Sequence, residues 1–224
     1  MLHLVIANKL YSSWSLRPWL VMRAFGIAFD ETVIPLKQTD SAARISKISP
    51  SGKLPLLIDG DVRIWESLAI IEYLVEKFPD KAIWPSNAGA RAHARSIANE
   101  MHGGFQFLRQ SCPMNLAKRF ATPVMSDDLA GNVSRVEEIW RTTRAAHGRG
   151  GPFLYGAFCA ADAMFAPVVS RLETYQIQVS PDTRAYMSDV LNHPSFLAWK
   201  ADALKEPWTI PDYEAGHTPI ETFR

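Results

Sequence analysis

The chain has 224 residues, 47% of them hydrophobic, with a formal net charge of +1 and no run of Lys or Arg. That is enough apolar material to bury one large core or two small ones, which excludes disorder as the main state. The balanced charge argues against nucleic acid, which needs clustered cations, and no stretch of about eighteen apolar residues is present to span a membrane. Cys112 and Cys159 are far apart and carry no metal-ligand spacing, so free thiols in a reducing cytoplasm are expected. Met1-Leu2-His3-Leu4 lacks a charged n-region and a small-residue cleavage site, so no export signal is expected.

The apolar run 2–7 reads as a buried strand, followed by a polar turn at 8–15. Residues 16–25 read as a helix, with Ser15 as N-cap, Gly26 as stop, and Pro18 early enough to be tolerated. A second strand is expected at 32–36, then a short helix capped by Thr39 or Asp40 and running through Ile48. Runs 54–58 and 62–65 flank Asp59-Gly60, a strong hairpin signal. Residues 67–78 form a helix with Leu68, Ile71, Leu74, Val75 and Phe78 on one side, stopped by Pro79. The order strand, helix, strand, helix, hairpin, helix predicts a mixed four-stranded sheet with helices on its faces.

Beyond Pro79 the strand signals stop. The expected division is an α/β domain over 1–80, a linker over 81–87 and an all-helical domain over 88–224. A long helix is predicted over 88–112, with Ile97, Met101, Phe105, Leu108 and Cys112 on one face, ended by Pro113. Ser126-Asp127-Asp128 opens the next helix, because a cap and two carboxylates oppose the helix dipole. After a Gly-rich break at 147–152, helices follow at 159–175, 181–191 and 194–204. The tail from Pro207 has no periodicity.

Three segments carry candidate chemistry. Tyr11-Ser12-Ser13-Trp14-Ser15-Leu16-Arg17 lies between the first strand and the first helix, where α/β sheets bind ligands and where free amides favour anions. A serine hydroxyl there can donate to a thiolate, or simply cap the helix. In Lys53-Leu54-Pro55, a cis peptide would turn Leu54's backbone outward to pair with an extended ligand, whereas a trans proline would mark an edge strand. Glu66-Ser67 stands where a strand hands over to a helix, suited to an α-amino and an α-carboxylate group, with capping by Ser67 as the plainer role.

Taken together, these segments resemble the cytosolic glutathione transferase superfamily over nearly the whole length. The resemblance implies a thioredoxin-like N-terminal domain, an all-α C-terminal domain, a homodimer and glutathione as co-substrate. Ser12, five residues before Arg17, is similar to the activating residue of the Ser/Cys-type classes, with Ser13 as the alternative and Tyr11 as a third. Lys53-Leu54-Pro55 resembles the element that pairs with the cysteinyl backbone of glutathione. Glu66-Ser67 resembles the γ-glutamyl-binding segment. Lys53, or a residue near Gln38, would pair with the glycyl carboxylate.

The implied reaction is attack of the thiol on a small hydrophobic electrophile. Tyr11, Trp14, Met101, Phe105, Arg109 and Trp208 are candidates to line its pocket. His102 on the same helix is expected to be a hydrogen-bonded helix residue, and Glu100 a candidate to reach across a dimer. Asp162 after Cys159 resembles the family's capping box, a structural role. Ser12-Ser13-x-Ser15-x-Arg17 is also similar to the zeta-class maleylacetoacetate isomerase motif Ser-Ser-Cys-Ser-x-Arg, with Trp14 in place of its cysteine. A binding module that has lost catalysis is the remaining alternative.

Overall fold

The structure, a computed structural model, describes residues 1–214 and 218–224. Its elements in chain order are β1 Leu2–Ile6, α1 Ser13–Ala24, β2 Phe29–Val33, α2 Ser41–Ser46, β3 Leu56–Asp59, β4 Val62–Trp65 and α3 Ser67–Lys77. They are followed by α4 Ala88–Gly103, α5 Gln106–Ser111, β5 Lys118–Phe120, α6 Asp127–His147, α7 Ala160–Thr174, α8 Pro181–Leu191, α9 Pro194–Ala203 and β6 Pro219–Thr222. The first half is the mixed sheet with its helices and the second half is helical. Among the described residues no helix is long and apolar enough to cross a membrane.

The sheet order is β2-β1-β3-β4. β1 and β2 are parallel, with Leu2 opposite Phe29 and Ile6 opposite Val33, and the other neighbours are antiparallel. β2 lies three residues earlier than its sequence suggests. The reason is Pro35: it has no N–H to give to a ladder, so pairing ends once Ile34 has donated to Ile6. α1 lies at the centre, packed against α3, α7 and α9. It is buried by Leu16, Trp19, Leu20, Val21 and Met22, so the two halves share one continuous core.

The expected single helix over 88–112 is broken. α4 ends at Gly103, Phe105 turns left-handed with φ 60°, and α5 restarts at Gln106. Consecutive glycines weaken a helix by about 1 kcal/mol each. At Gly104 a Cβ would meet the Glu100 carbonyl at 2.7 Å, so the chain passes too close for a side chain. The expectation of an all-helical second half also needs correction. β5 and β6 pair antiparallel, with a register shift between Arg119 and Phe120 and an Arg119–Glu221 ion pair of 2.6 Å. The expected irregular tail therefore contains a strand; its positions 215–217 lie outside the described residues.

Asp162 holds the centre of the helical half. Its carboxylate accepts from the backbone N–H groups of Cys159 (2.9 Å) and Leu154 (3.1 Å) and from the Tyr186 hydroxyl (3.0 Å). It begins α7 as a capping-box residue. Burial, against those hydrogen bonds, pushes its carboxyl up to about 6. The native protein therefore keeps a proton that the unfolded chain has released, and this group's stabilisation is lost as pH rises from about 4 through about 6. Chemical denaturation at pH 4 and pH 7 is expected to show Asp162→Asn with less of that fall than the wild type. Asp162→Ala is expected to cost about 3 kcal/mol or more at both, because it strands two buried N–H groups and a hydroxyl.

Candidate functional site

The turn from β1 into α1 is clamped before it reaches the site. Glu206 accepts from the backbone N–H groups of Lys9 (2.7 Å) and Leu10 (3.2 Å). The Lys9 ammonium, 6% exposed, pairs with Glu31 at 2.8 Å and Asp202 at 3.0 Å, and Trp199 donates to the Lys9 carbonyl at 2.9 Å. The chain then delivers Tyr11, Ser12, Ser13 and Trp14 into a cavity of about 480 Å³.

The helix starts earlier than its sequence suggests, and its cap is Ser12 rather than Ser15. Ser12 Oγ accepts from the Ser15 N–H at 3.3 Å and donates to Ser15 Oγ at 2.8 Å. Ser15 Oγ also accepts from the Ala7 N–H at 3.1 Å, tying the end of β1 to the helix. Ser13 Oγ accepts from Arg171 at 3.4 Å. Both Ser12 and Ser13 are buried residues on the cavity wall. Tyr11 lines the cavity too, but its hydroxyl donates to Glu214 at 2.8 Å, and burial followed by Glu214 pushes its phenol up to about 12. That phenol is committed to the tail rather than to a ligand.

The Leu54–Pro55 peptide is cis. Lys53 and Leu54 line the large cavity and also an adjoining one of about 210 Å³, which adds Ser51, Pro55, Glu66, Ser67 and His102. Trp14 forms part of both walls. Glu66 stands before α3 with φ 67°, a strained conformation for a residue with a side chain. Ser67 makes no capping bond, contrary to its plainer role, and its buried hydroxyl has no partner among the described residues. His102 Nδ1 is likewise buried and unpartnered. Burial, then the charge of Arg17, lowers that imidazole's pKa against the opposing pull of Glu66, so it is neutral at pH 7.

Two unsatisfied polar atoms, a strained backbone and uncapped helix amides thus meet in one small cavity. A site that awaits polar groups of a ligand accounts for all of them.

Other candidates go elsewhere. Met101 and Phe105 are buried in the core and line neither cavity; Met101 lies on the buried face of α4 and Phe105 at the left-handed break after it. Trp208 lines neither, and Tyr213 of the same tail takes that place, stacked on Tyr11 at 5.7 Å. Glu100 pairs with Arg135 of its own chain at 2.7 Å. Cys112 is buried and its thiol is pushed up to about 12, while Cys159 is raised well above its ordinary value, both chiefly by burial. Arg109 does line the large cavity. Arg171 lines it as well and escaped sequence reasoning, although one charge inside the apolar run of α7 was the signal.

Residues 11–77 match the family model described as Glutathione S-transferase, N-terminal domain. That match covers the sheet half of the chain from the turn after β1 to the end of α3. It is similar to a probable maleylacetoacetate isomerase of Caenorhabditis elegans, 36% identical over 95 residues, or 42% of this chain and 43% of that protein. Less than half of that relative's length is therefore spanned. The maleylacetoacetate isomerase of Rattus norvegicus is 26% identical over 91% of each chain. Among solved structures, a glutathione transferase homolog from Burkholderia GL BGR1, with bound glutathione, shares the transferase fold. Its TM-score is 0.71 at 20% identity, over 92% of this chain and 99% of that one.

Ser67→Ala in the ligand-free protein is expected to leave thermal stability unchanged or to raise it, since it removes a buried hydroxyl that has no partner among the described residues. A scanning-calorimetry loss of several degrees would mean that the hydroxyl is structural.

Proposed function

We propose that the protein is a glutathione transferase that holds glutathione across the two cavities and activates its thiol at the start of α1. The observation that carries this reading is the juxtaposition of the Ser12-Ser13 helix start with an adjoining cavity whose Ser67 and His102 atoms lack partners. The γ-glutamyl group takes Glu66 and Ser67, the cysteinyl backbone takes Leu54, and Lys53 takes the glycyl carboxylate. Residues 1–80 supply this half, 81–87 the linker, and residues 88–224 the wall facing the second substrate. The protein works as a homodimer in the cytoplasm, where its two buried thiols stay reduced.

The chemistry follows from the hydroxyls. Ser12 Oγ donates to Ser15 Oγ, which the Ala7 N–H holds in place. When a thiolate is present, the Ser12 hydroxyl turns its proton from Ser15 to the sulfur, exchanging a neutral acceptor for a charged one. Ser13 supplies a second donor beside it, and the helix N-terminus adds partial positive charge. The thiol proton leaves to solvent, the thiolate attacks the electrophilic carbon, a carbon–sulfur bond forms, and the leaving group departs with its electron pair, as chloride from a chloronitroarene.

A second reading keeps the thiolate and changes the reaction to cis–trans isomerisation, by addition to a double bond, rotation and expulsion of the thiolate. Two of the relatives carry maleylacetoacetate isomerase names, and Ser12-Ser13-x-Ser15-x-Arg17 resembles that motif. Turnover of maleylacetone with glutathione in place of arene conjugation would favour it.

The test is conjugation of 1-chloro-2,4-dinitrobenzene. Ser12→Ala is expected to lower kcat about tenfold or more, since a hydrogen bond to a charged group is worth about 1.5–3 kcal/mol. Ser15→Ala is expected to fall between it and the wild type. Unchanged turnover in Ser12→Ala would remove it as activator. Calorimetry is expected to show glutathione binding by the wild type and affinity about tenfold weaker in Ser67→Ala. No binding at all would leave a module without the co-substrate.

A further inference from the structure

We infer that the larger cavity selects electrophiles carrying an anionic group, a carboxylate above all, held by Arg109 and Arg171 beside the thiol. The inference rests on the transferase reading and names the substrate class of the same site.

Charge is the starting point. The cavity is lined by three cationic residues, Lys53, Arg109 and Arg171, and by no Asp or Glu. Arg17 adds a fourth charge, its guanidinium carbon 4.2 Å from the centre of the Trp14 ring, while Arg109's lies 4.8 Å from the same centre. Elsewhere in the chain Arg95, Arg119, Arg135, Arg144 and Arg184 all pair with carboxylates. Arg17, Arg109 and Arg171 donate instead to backbone carbonyls, the Met101 sulfur and the Ser13 hydroxyl. Among the described residues no carboxylate balances them. Burial and mutual repulsion lower Arg17 well below its ordinary value and Arg171 to about 10. A cluster of buried like charges without counterions is unfavourable unless an anion completes it.

Donors are also left over. Arg171 uses Nη1 on the Cys112 and Arg109 carbonyls and Nη2 on Ser13, which leaves Nε without an acceptor among the described residues. Arg109 uses Nε and Nη2 on the carbonyls at the helix break, which leaves Nη1. Both guanidiniums can therefore still donate to a ligand.

Their place decides which ligand. Arg171 reaches Ser13 and Arg109 stacks on Trp14, so both stand at the thiol end. Glutathione's own carboxylates are assigned to Ser67 and Lys53, which leaves this pair for the second substrate. Leu36, Ile45, Met114 and Tyr213 on the same wall suit its carbon frame. The electrophile is thus amphipathic, where sequence alone suggested a hydrophobic one.

The test compares two chloronitroarenes that differ by a carboxylate, 4-chloro-3,5-dinitrobenzoate and 2-chloro-1,3-dinitrobenzene. Each rate is divided by the uncatalysed rate with glutathione. The wild type is expected to favour the benzoate in kcat/KM about tenfold or more. Arg171→Met and Arg109→Gln are each expected to lose most of that preference. Equal loss on both substrates would mean a structural role and would overturn the inference, as would a wild type without preference. Calorimetry with 4-nitrobenzoate against 4-nitrobenzamide gives a readout that needs neither turnover nor glutathione. Tighter binding of the benzoate, lost in Arg109→Gln, supports the anion site even if conjugation fails, and that failure then counts against the transferase reading alone. Equal binding of the two overturns the anion site and leaves the transferase reading standing.

Discussion

The carboxylate of Glu206 grips the backbone of Lys9 and Leu10, and the aim of the site depends on that grip. Two N–H groups at the end of a strand would otherwise be buried without partners, at a cost of about 1–3 kcal/mol each. The helical half satisfies them from beyond α9. Lys9 repeats the tie with its side chain, buried between Glu31 and Asp202 and close to the Trp19 and Trp199 rings. The first turn of α1 is therefore set by both halves of the chain. The hydroxyls at that turn are held in place by both, and the same core places the second wall opposite them.

The tail joins this arrangement from the other side. Glu214 takes the Tyr11 hydroxyl, the Asn115 amide and the Lys118 ammonium, and Lys37 pairs with Asp212 at 3.0 Å. Tyr213 is thereby pressed onto Tyr11. The cavity has a floor from the sheet half, a wall from α5 and α7 and a rim from the tail. Its electrostatics follow from this division. The sheet half offers hydroxyls and amides, and the helical half offers guanidiniums.

Much of this was legible in the sequence, because much of it is local. Asp59-Gly60 between two apolar runs makes the hairpin, Ser126 before two aspartates starts α6, and Pro181 and Pro194 open α8 and α9. The three candidate segments are contiguous motifs, each at the end of a strand or the start of a helix. What was missed depends on distant partners. Apolar spacing ran through Gly103-Gly104 as though the glycines were neutral, so Met101 and Phe105 were assigned to a pocket when they pack in the core. β5 and β6 lie about a hundred residues apart and each is too short to show a period. Trp208 was the more conspicuous aromatic in the tail, but the short helical turn ending at Tyr213 is what reaches the cavity. Arg171 drew no reading from the sequence because its burial against Ser13 depends on a residue 158 positions away.

The central claim is that glutathione sits at the start of α1 as a thiolate. Its most direct measurement is the ultraviolet thiolate absorbance of glutathione bound to the wild-type protein, followed as pH is varied. The account predicts that the bound thiol ionises well below the pH at which free glutathione does. A bound thiol that titrates with free glutathione would contradict it.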